Sequence, residues 1–235
     1  MEDMHLRRLT FQAKSRKIKI VSNRKAGMFS MKNLIITISR QYGSGGRKIG
    51  QQLAEELGIP FYDSEIIDLA AKESGLAADF IRGQEQQLTQ SLLFSLVTNF
   101  TSNSSAFNPN MLSLSDQVYL AQAKAIRALA DKGTCVIVGR CADWVLEKDY
   151  DVLRVFVCGP LEARCKRAVE EYGDKPEDIQ KTVKNIDKQR TRYCQHYCDK
   201  AWEDAENYDL CLNSGTISLD NCVAIVKSAY QELAK

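Results

Sequence analysis

The stretch Ser39-Arg40-Gln41-Tyr42-Gly43-Ser44-Gly45-Gly46-Arg47-Lys48-Ile49-Gly50 decides how this chain folds. Before it, Leu34-Ile35-Ile36-Thr37-Ile38 is short, continuous and β-branched, which predicts a buried parallel strand over 33–38. After it, the pattern predicts a helix over 46–57, with Ile49, Leu53, Ala54 and Leu57 on one face and Gly58 as the stop. A strand, a glycine-rich turn and a helix N-terminus together make an anion cradle. Small residues let successive backbone N–H groups converge at the positive end of the helix.

Slot by slot, the loop departs from the common phosphate-loop pattern G-x-x-x-x-G-K-[ST] and its variant G-x-x-G-x-G-K-G-T. If Gly43 and Gly45 fill the two later glycine slots, Arg40 takes the first, Gly46 falls on the lysine slot and Lys48 on the threonine slot. Sliding by one puts Arg47 on the lysine slot, but Ser44 then displaces a glycine. The first register also aligns the helix that follows. In either register the lysine and the hydroxyl that ligates Mg²⁺ are absent from their usual places. Cations are still at hand in Arg40, Arg47 and Lys48, and a guanidinium grips phosphate bidentately where lysine acts as a point charge. Ser39 or Ser44 offers a hydroxyl. On these residues alone two readings stand: a phosphate loop with displaced charges, or a glycine turn that binds nothing.

The bulk composition narrows the class. The chain has 235 residues, 44% hydrophobic and 26% charged, enough for one sizeable core with a small inserted subdomain. No apolar run is long enough to span a membrane and no signal-like N-terminus precedes the first strand, so a cytoplasmic location is expected. The eight cysteines, several in strand-like or helical positions, are expected to be reduced thiols. The net charge of +2 hides an asymmetry, because residues 1–30 carry eight Lys/Arg against Glu2 and Asp3. That basic arm reads as a disordered extension, with residues 31–235 as the folded domain. The body is not basic enough for a dedicated nucleic-acid binder, and a membrane partner is not expected.

Further strands are expected at 59–62, 135–139, 152–157 and 208–212, and helices at 160–172, about 176–200 and 218–233. From about 64 to 131 the pattern is helical but interrupted, with a Ser/Asn-rich loop over 98–110 and an amphipathic helix around 115–131. Strands alternating with helices imply a parallel sheet covered on both faces, with the 64–131 block inserted between two strands.

Residues 36–67, "ITISRQYGSGGRKIGQQLAEELGIPFYDSEII", with "VIVGRCAD" over 136–143 and "DKQRTRYCQHYCDKAW" over 187–202, resemble the cytidylate-kinase-like family. That family is a branch of the P-loop nucleoside monophosphate kinases in which the loop "SRxYGSGG" is typical. The resemblance runs over about residues 33–230. It implies a three-layer α/β P-loop NTPase fold with a parallel sheet, a helical acceptor-binding insert (about 64–131) and an arginine-bearing lid (about 160–195).

The resemblance also implies a Mg·ATP-dependent phosphotransferase acting on a small acceptor, a nucleoside monophosphate first among candidates. Donor phosphates would lie on Arg40, Gly43, Ser44, Gly45, Gly46, Arg47 and Lys48, with Arg47 or Lys48 in the lysine's role. Asp63 and Ser64 match the start of the family's D-S-G-A-x-Y-R acceptor motif, although its glycine is Glu65 and its arginine Leu69. Gly139 and Arg140 match the centre of D-G-R-D, while its acidic ends are Val138 and Cys141, with Asp143 two residues on. Asp63, Ser64, Arg140 and Asp143 would thus orient the acceptor. Glu162-Ala163-Arg164-Cys165-Lys166-Arg167 resembles the lid's E-x-R-x-x-R helix, and Asp187-Lys188-Gln189-Arg190 its second arginine segment. Arg164, Arg167, Lys188 and Arg190 would stabilise the transferring charge, since phosphoryl transfer needs in-line positioning and positive charge above all. Two rival readings remain: a nucleotide-binding sensor without turnover, and a kinase for a non-nucleotide metabolite.

Two other patterns are read as structural. Cys194 and Cys198 share a helix face, but His196 points elsewhere and no second close ligand pair follows in sequence, so no metal site is expected. Tyr193, Tyr197 and Trp202 at near-helical spacing read as packing. Leu92, Leu93, Leu96 and Val97 would either pack on the sheet or form a homodimer contact.

Overall fold

The computed structural model describes residues 33–63 and 114–235, Asp199 excepted. The basic arm, Ser64, the 98–110 loop, the 92–97 leucine cluster and most of the expected insert lie outside the described residues.

Five strands form one parallel sheet in the order β2-β3-β1-β4-β5: β1 (Ile35–Arg40), β2 (Phe61–Tyr62), β3 (Val136–Val138), β4 (Val152–Cys158) and β5 (Leu210–Asn213). From β1 the chain goes to β2 at one edge, returns to β3 between the two, and then crosses to β4 and β5 on the other side. Strand β1 is therefore central, with Ile36 opposite Val136 on one neighbour and Leu153 on the other. In open parallel sheets the crevice at the strand C-termini, where the order reverses, is where ligands sit. The glycine loop follows β1 at that point.

Alternation along β1 divides the core. Ile36 and Ile38 pack with Ile49 and Leu53 of α1 (Gly46–Leu57) and with Val223 and Val226 of a C-terminal helix (Leu219–Leu233). Ile35 faces the other way, against Ile126 and Leu129 of α2 (Leu114–Ala130) and Leu146 of the short α3 (Ala142–Leu146). That side extends over β4, where Phe156 meets Trp202 and Tyr208 beneath α5 (Ile179–Cys198). With α4 (Leu161–Tyr172) before α5, the C-terminal helix is α6. This is the three-layer α/β fold implied by the sequence, and the periodicity explains it: strands apolar on both faces require helices on both.

Helix α1 and the C-terminal helix lie within a residue or so of their expected bounds. Gly58 closes α1 in the left-handed conformation, its N–H taken by the Ala54 and Glu55 carbonyls. The expected packing role of Trp202 is as found, 6% exposed against Phe156. All eight cysteines are free thiols. Among the described residues no helix is long and apolar enough to cross a membrane.

Candidate functional site

The loop leaves β1 at Arg40 and enters α1 at Gly46 with two left-handed residues, Gly43 (φ 75°) and Gly45 (φ 79°). At Gly43 the requirement for glycine is steric as well as conformational. A Cβ there would run into the backbone carbonyl of Arg164. Beyond Gly45, the N–H groups of Gly46, Arg47 and Lys48 open α1 and have no preceding helical carbonyl to bond. They face a cleft of about 720 Å³ lined by the loop together with Arg40, Arg47, Lys48, Tyr172 and Arg190.

Most of the loop's shape comes from the two helices expected to form the lid. Tyr42 is the anchor. Its N–H donates to Asp187 Oδ1 (2.7 Å), its carbonyl accepts from Arg164 Nη1 (3.0 Å), and its hydroxyl donates to Asp174 (2.8 Å). Arg164 also donates to the Gly159 carbonyl (2.9 Å) and pairs with Asp187 Oδ2 at 2.5 Å, both side chains nearly sealed from water. Arg167 donates to the Gly43 carbonyl (2.8 Å) and leans on Glu171 (3.6 Å). These contacts differ from the expected placing of Arg164 and Arg167 against the transferring charge. In this conformation their guanidinium groups hold loop carbonyls, and Arg164 is only 7% exposed.

The positive charge facing the cleft comes from elsewhere. Arg190 donates to the Arg40 carbonyl (2.8 Å), stacks over the Tyr42 ring (5.6 Å) and stands 4.0 Å from Asp187. Burial lowers its pKa to about 9, with Arg40 and Arg140 pushing the same way against Asp187 and Tyr42. Arg40 is likewise lowered, first by burial and then by Arg140 and Arg47, with Asp63 opposing. Its guanidinium crosses the end of β3 so closely that a Cβ on Gly139 (φ 82°) would collide with it. Guanidinium groups from β1, the end of β3 and α5 thus lie close together, with Asp63 and Asp187 as the opposing charges. A cluster of cations beside a loop of backbone N–H groups makes this cleft a candidate anion site.

The remaining expected residues separate. Arg47 and Lys48 stand on the cleft's rim, more than half exposed, paired with Asp63 (2.7 Å) and Glu171 (3.3 Å). Asp63 therefore ties the end of β2 to α1 and also faces Arg40. The Ser44 hydroxyl is wholly buried and donates to the Gln41 carbonyl (2.8 Å), so it presents no ligand to the cleft. Lys188 is exposed on α5. Asp143 departs furthest from expectation: it lies 4% exposed, pairs with Lys200 at 2.6 Å and does not line the cleft. Arg140 and Cys141 follow Gly139 in a run of three left-handed residues (φ 82°, 56° and 52°), a turn that holds its side chains away from ordinary strand directions.

Sequence reasoning missed Tyr42, Asp187 and Tyr172. The Tyr172 hydroxyl lies beside the Gly45 N–H and near both Arg167 and Arg190. Its ring meets Tyr42 edge-on at 5.7 Å. Tyr42 was visible within the loop motif, but nothing in the spacing of Tyr172 marks it as a loop partner.

Similar proteins are known. A cytidylate kinase from Pyrococcus horikoshii is 26% identical over 202 residues, covering 85% of this chain and 90% of that protein. One from Methanopyrus kandleri is 24% identical over 216 residues, covering 88% and 97%. A crystal structure of an uncharacterised protein from Eubacterium ventriosum superposes with a TM-score of 0.60 at 25% identity, covering 83% of this chain and 97% of that one. Residues 35–216 match the model of the cytidylate kinase-like family, and the chain belongs to that family.

Proposed function

We propose that the protein transfers the γ-phosphoryl group of Mg·ATP to a small phosphorylated acceptor, with a nucleoside monophosphate as the leading candidate. The observation that carries this reading is the pair Arg40 and Arg190 lining the glycine-loop cleft, with Arg140 close to both. The donor phosphates take the loop N–H groups. Arg40 and Arg190 supply the charge that a loop lysine gives elsewhere, and Arg47 and Lys48 act from the rim. Arg140 and Asp63, at the ends of neighbouring strands, face the acceptor side. Mg²⁺ arrives with the nucleotide, and the buried Ser44 hydroxyl is not available to bind it.

The test is ADP production from Mg·ATP with a panel of nucleoside monophosphates, alongside direct ATP binding on the same sample. Stimulation by CMP or dCMP supports the reading. ATP binding with no stimulated turnover redirects it to a non-nucleotide acceptor, which the departures at Leu69 and Cys141 would favour, or to a sensor. Absence of ATP binding overturns it.

The cleft carries two predictions. The Tyr172 hydroxyl lies beside the Gly45 N–H that a donor phosphate needs, so it competes with nucleotide for that group. Tyr172→Phe should tighten ATP binding by about two- to tenfold, the worth of one exchanged hydrogen bond. Calorimetry giving an unchanged or weaker affinity would contradict this.

The second concerns protons. Burial, with Arg40 beside it, holds the Arg190 pKa down at about 9, against an ordinary 12.5. A bound phosphate favours its charged form and raises that value. ATP binding near pH 9 should therefore take up protons, and affinity should fall by up to about tenfold per pH unit above that point. The ligand-free fold has the opposite sign: it gains stability as pH rises past 9, because the unfolded chain still holds the proton. Titrations in two buffers of different ionisation heat measure the uptake; none at pH 9 would refute it.

A further inference from the structure

Cys194 and Cys198 lie one helical turn apart on α5, so their sulfurs share a face. The fold brings a third sulfur to them. Cys141, at the start of α3, completes a cluster whose three Sγ atoms all lie within 4.8 Å of one another. The cysteines are 8%, 2% and 0% exposed and pack with Phe156, Trp202 and Tyr208. We infer that Cys141, Cys194 and Cys198 form a three-thiolate site for zinc or a similarly thiophilic divalent ion, which fastens α5 to the turn carrying Arg140.

The geometry suits such an ion. Zn–S bonds of about 2.3 Å in a tetrahedron put sulfurs about 3.8 Å apart, so the cluster needs to contract by no more than about 1 Å. Three thiolates around a divalent ion carry one net negative charge, and the Lys200 ammonium lies on the same side, held by Asp143 at 2.6 Å. The Cys194 sulfur is also 3.9 Å from the Lys200 carbonyl oxygen. Three sulfurs and no imidazole select a soft ion over Mg²⁺ or Ca²⁺.

A second observation points the same way. Arg140 and Cys141 are non-glycine residues in the left-handed region, a conformation that costs about 1 kcal/mol or more per residue and persists where the surroundings impose it. An ion on the Cys141 sulfur would impose it directly, one residue from a guanidinium of the arginine cluster. The same ion would hold the C-terminal end of α5, whose earlier turns supply Asp187 and Arg190. Chain order hides the site, because Cys141 is more than fifty residues from its partners.

The experiment uses the full-length chain, reduced, stripped of metal and titrated anaerobically with Zn²⁺ against a chromophoric chelator, then with Co²⁺. One Zn²⁺ per chain is expected. Co²⁺ should give the thiolate charge-transfer absorption and visible bands of a tetrahedral, sulfur-rich site. Cys194→Ser and Cys141→Ser should each weaken Zn²⁺ by more than about a hundredfold, beyond what losing an outer-shell partner does. Cys211→Ser, at an exposed thiol outside the cluster, should change nothing. If a cluster variant fails to fold, the wild-type Co²⁺ spectrum decides. No stoichiometric metal, a Co²⁺ spectrum without thiolate bands, or full binding retained in Cys194→Ser overturns the site. So does a thiol count of six instead of eight in the denatured, unreduced chain, which would make the cluster a disulfide.

Discussion

Replacing Arg190 by alanine should lower kcat/KM for phosphoryl transfer on the order of a thousandfold, the scale set by arginines that meet a transferring phosphoryl group. It should leave the unliganded protein melting no lower than the parent. The two halves of this result belong together. Arg190 is held charged at neutral pH against burial and against Arg40 and Arg140. Removing it relieves that repulsion and offsets the lost bond to the Arg40 carbonyl. A residue kept for the fold would lose stability on truncation, whereas one kept for an anion loses binding and rate and can gain stability. Arg190→Lys restores the charge without the planar fork and should recover part of the rate only. A kinetic loss below about tenfold, or a melting temperature that falls together with activity, would remove Arg190 from the proposed mechanism.

The fold was legible because it rests on local pattern. Strand β1 is a continuous apolar run, α1 repeats its apolar residues at helical spacing, and Gly58 supplies a stop that only the left-handed conformation explains. The short α3 was not foreseen, since five residues carry too little periodicity to separate a helix from a turn.

The site was legible in its glycines but less so in its charges. Gly43 and Gly45 announce a tight loop from composition alone. Which guanidinium groups face that loop depends on how α4 and α5 pack, and sequence spacing does not carry that information. Arg164 and Asp187 belong to different helices, and only their meeting at 2.5 Å turns a lid-like arginine into a buried strut. Asp143 fits an acidic slot by position, yet Lys200, 57 residues later, neutralises it inside the fold. The cysteines fail in the same way. Cys194 and Cys198 are visible as a pair, and the third sulfur arrives through the β3–α3 turn.

Asp187→Ala tests the strut, and its expected signature is the reverse of that of Arg190. Removing one member of a buried ion pair leaves the other charge without compensation, at a cost of about 3–5 kcal/mol, or a fall in melting temperature of roughly 10 °C for a chain of this size. Tyr42 loses the acceptor for its N–H at the same time, so the loop loses one of its ties to α5 and ATP binding should fail with the fold still present at low temperature. The double variant Arg164→Met with Asp187→Leu separates the two effects. Apolar groups of similar volume can replace a buried pair with little loss of stability. They cannot accept the Tyr42 N–H or donate to its carbonyl, so melting should recover while nucleotide affinity stays low. If the double variant regains affinity as well, the pair only fills space, and the loop's shape comes from Gly43 and Gly45 alone. If Asp187→Ala melts within about 2 °C of the parent, less than about 1 kcal/mol is at stake and the buried strut is not what holds α4 and α5 to the loop.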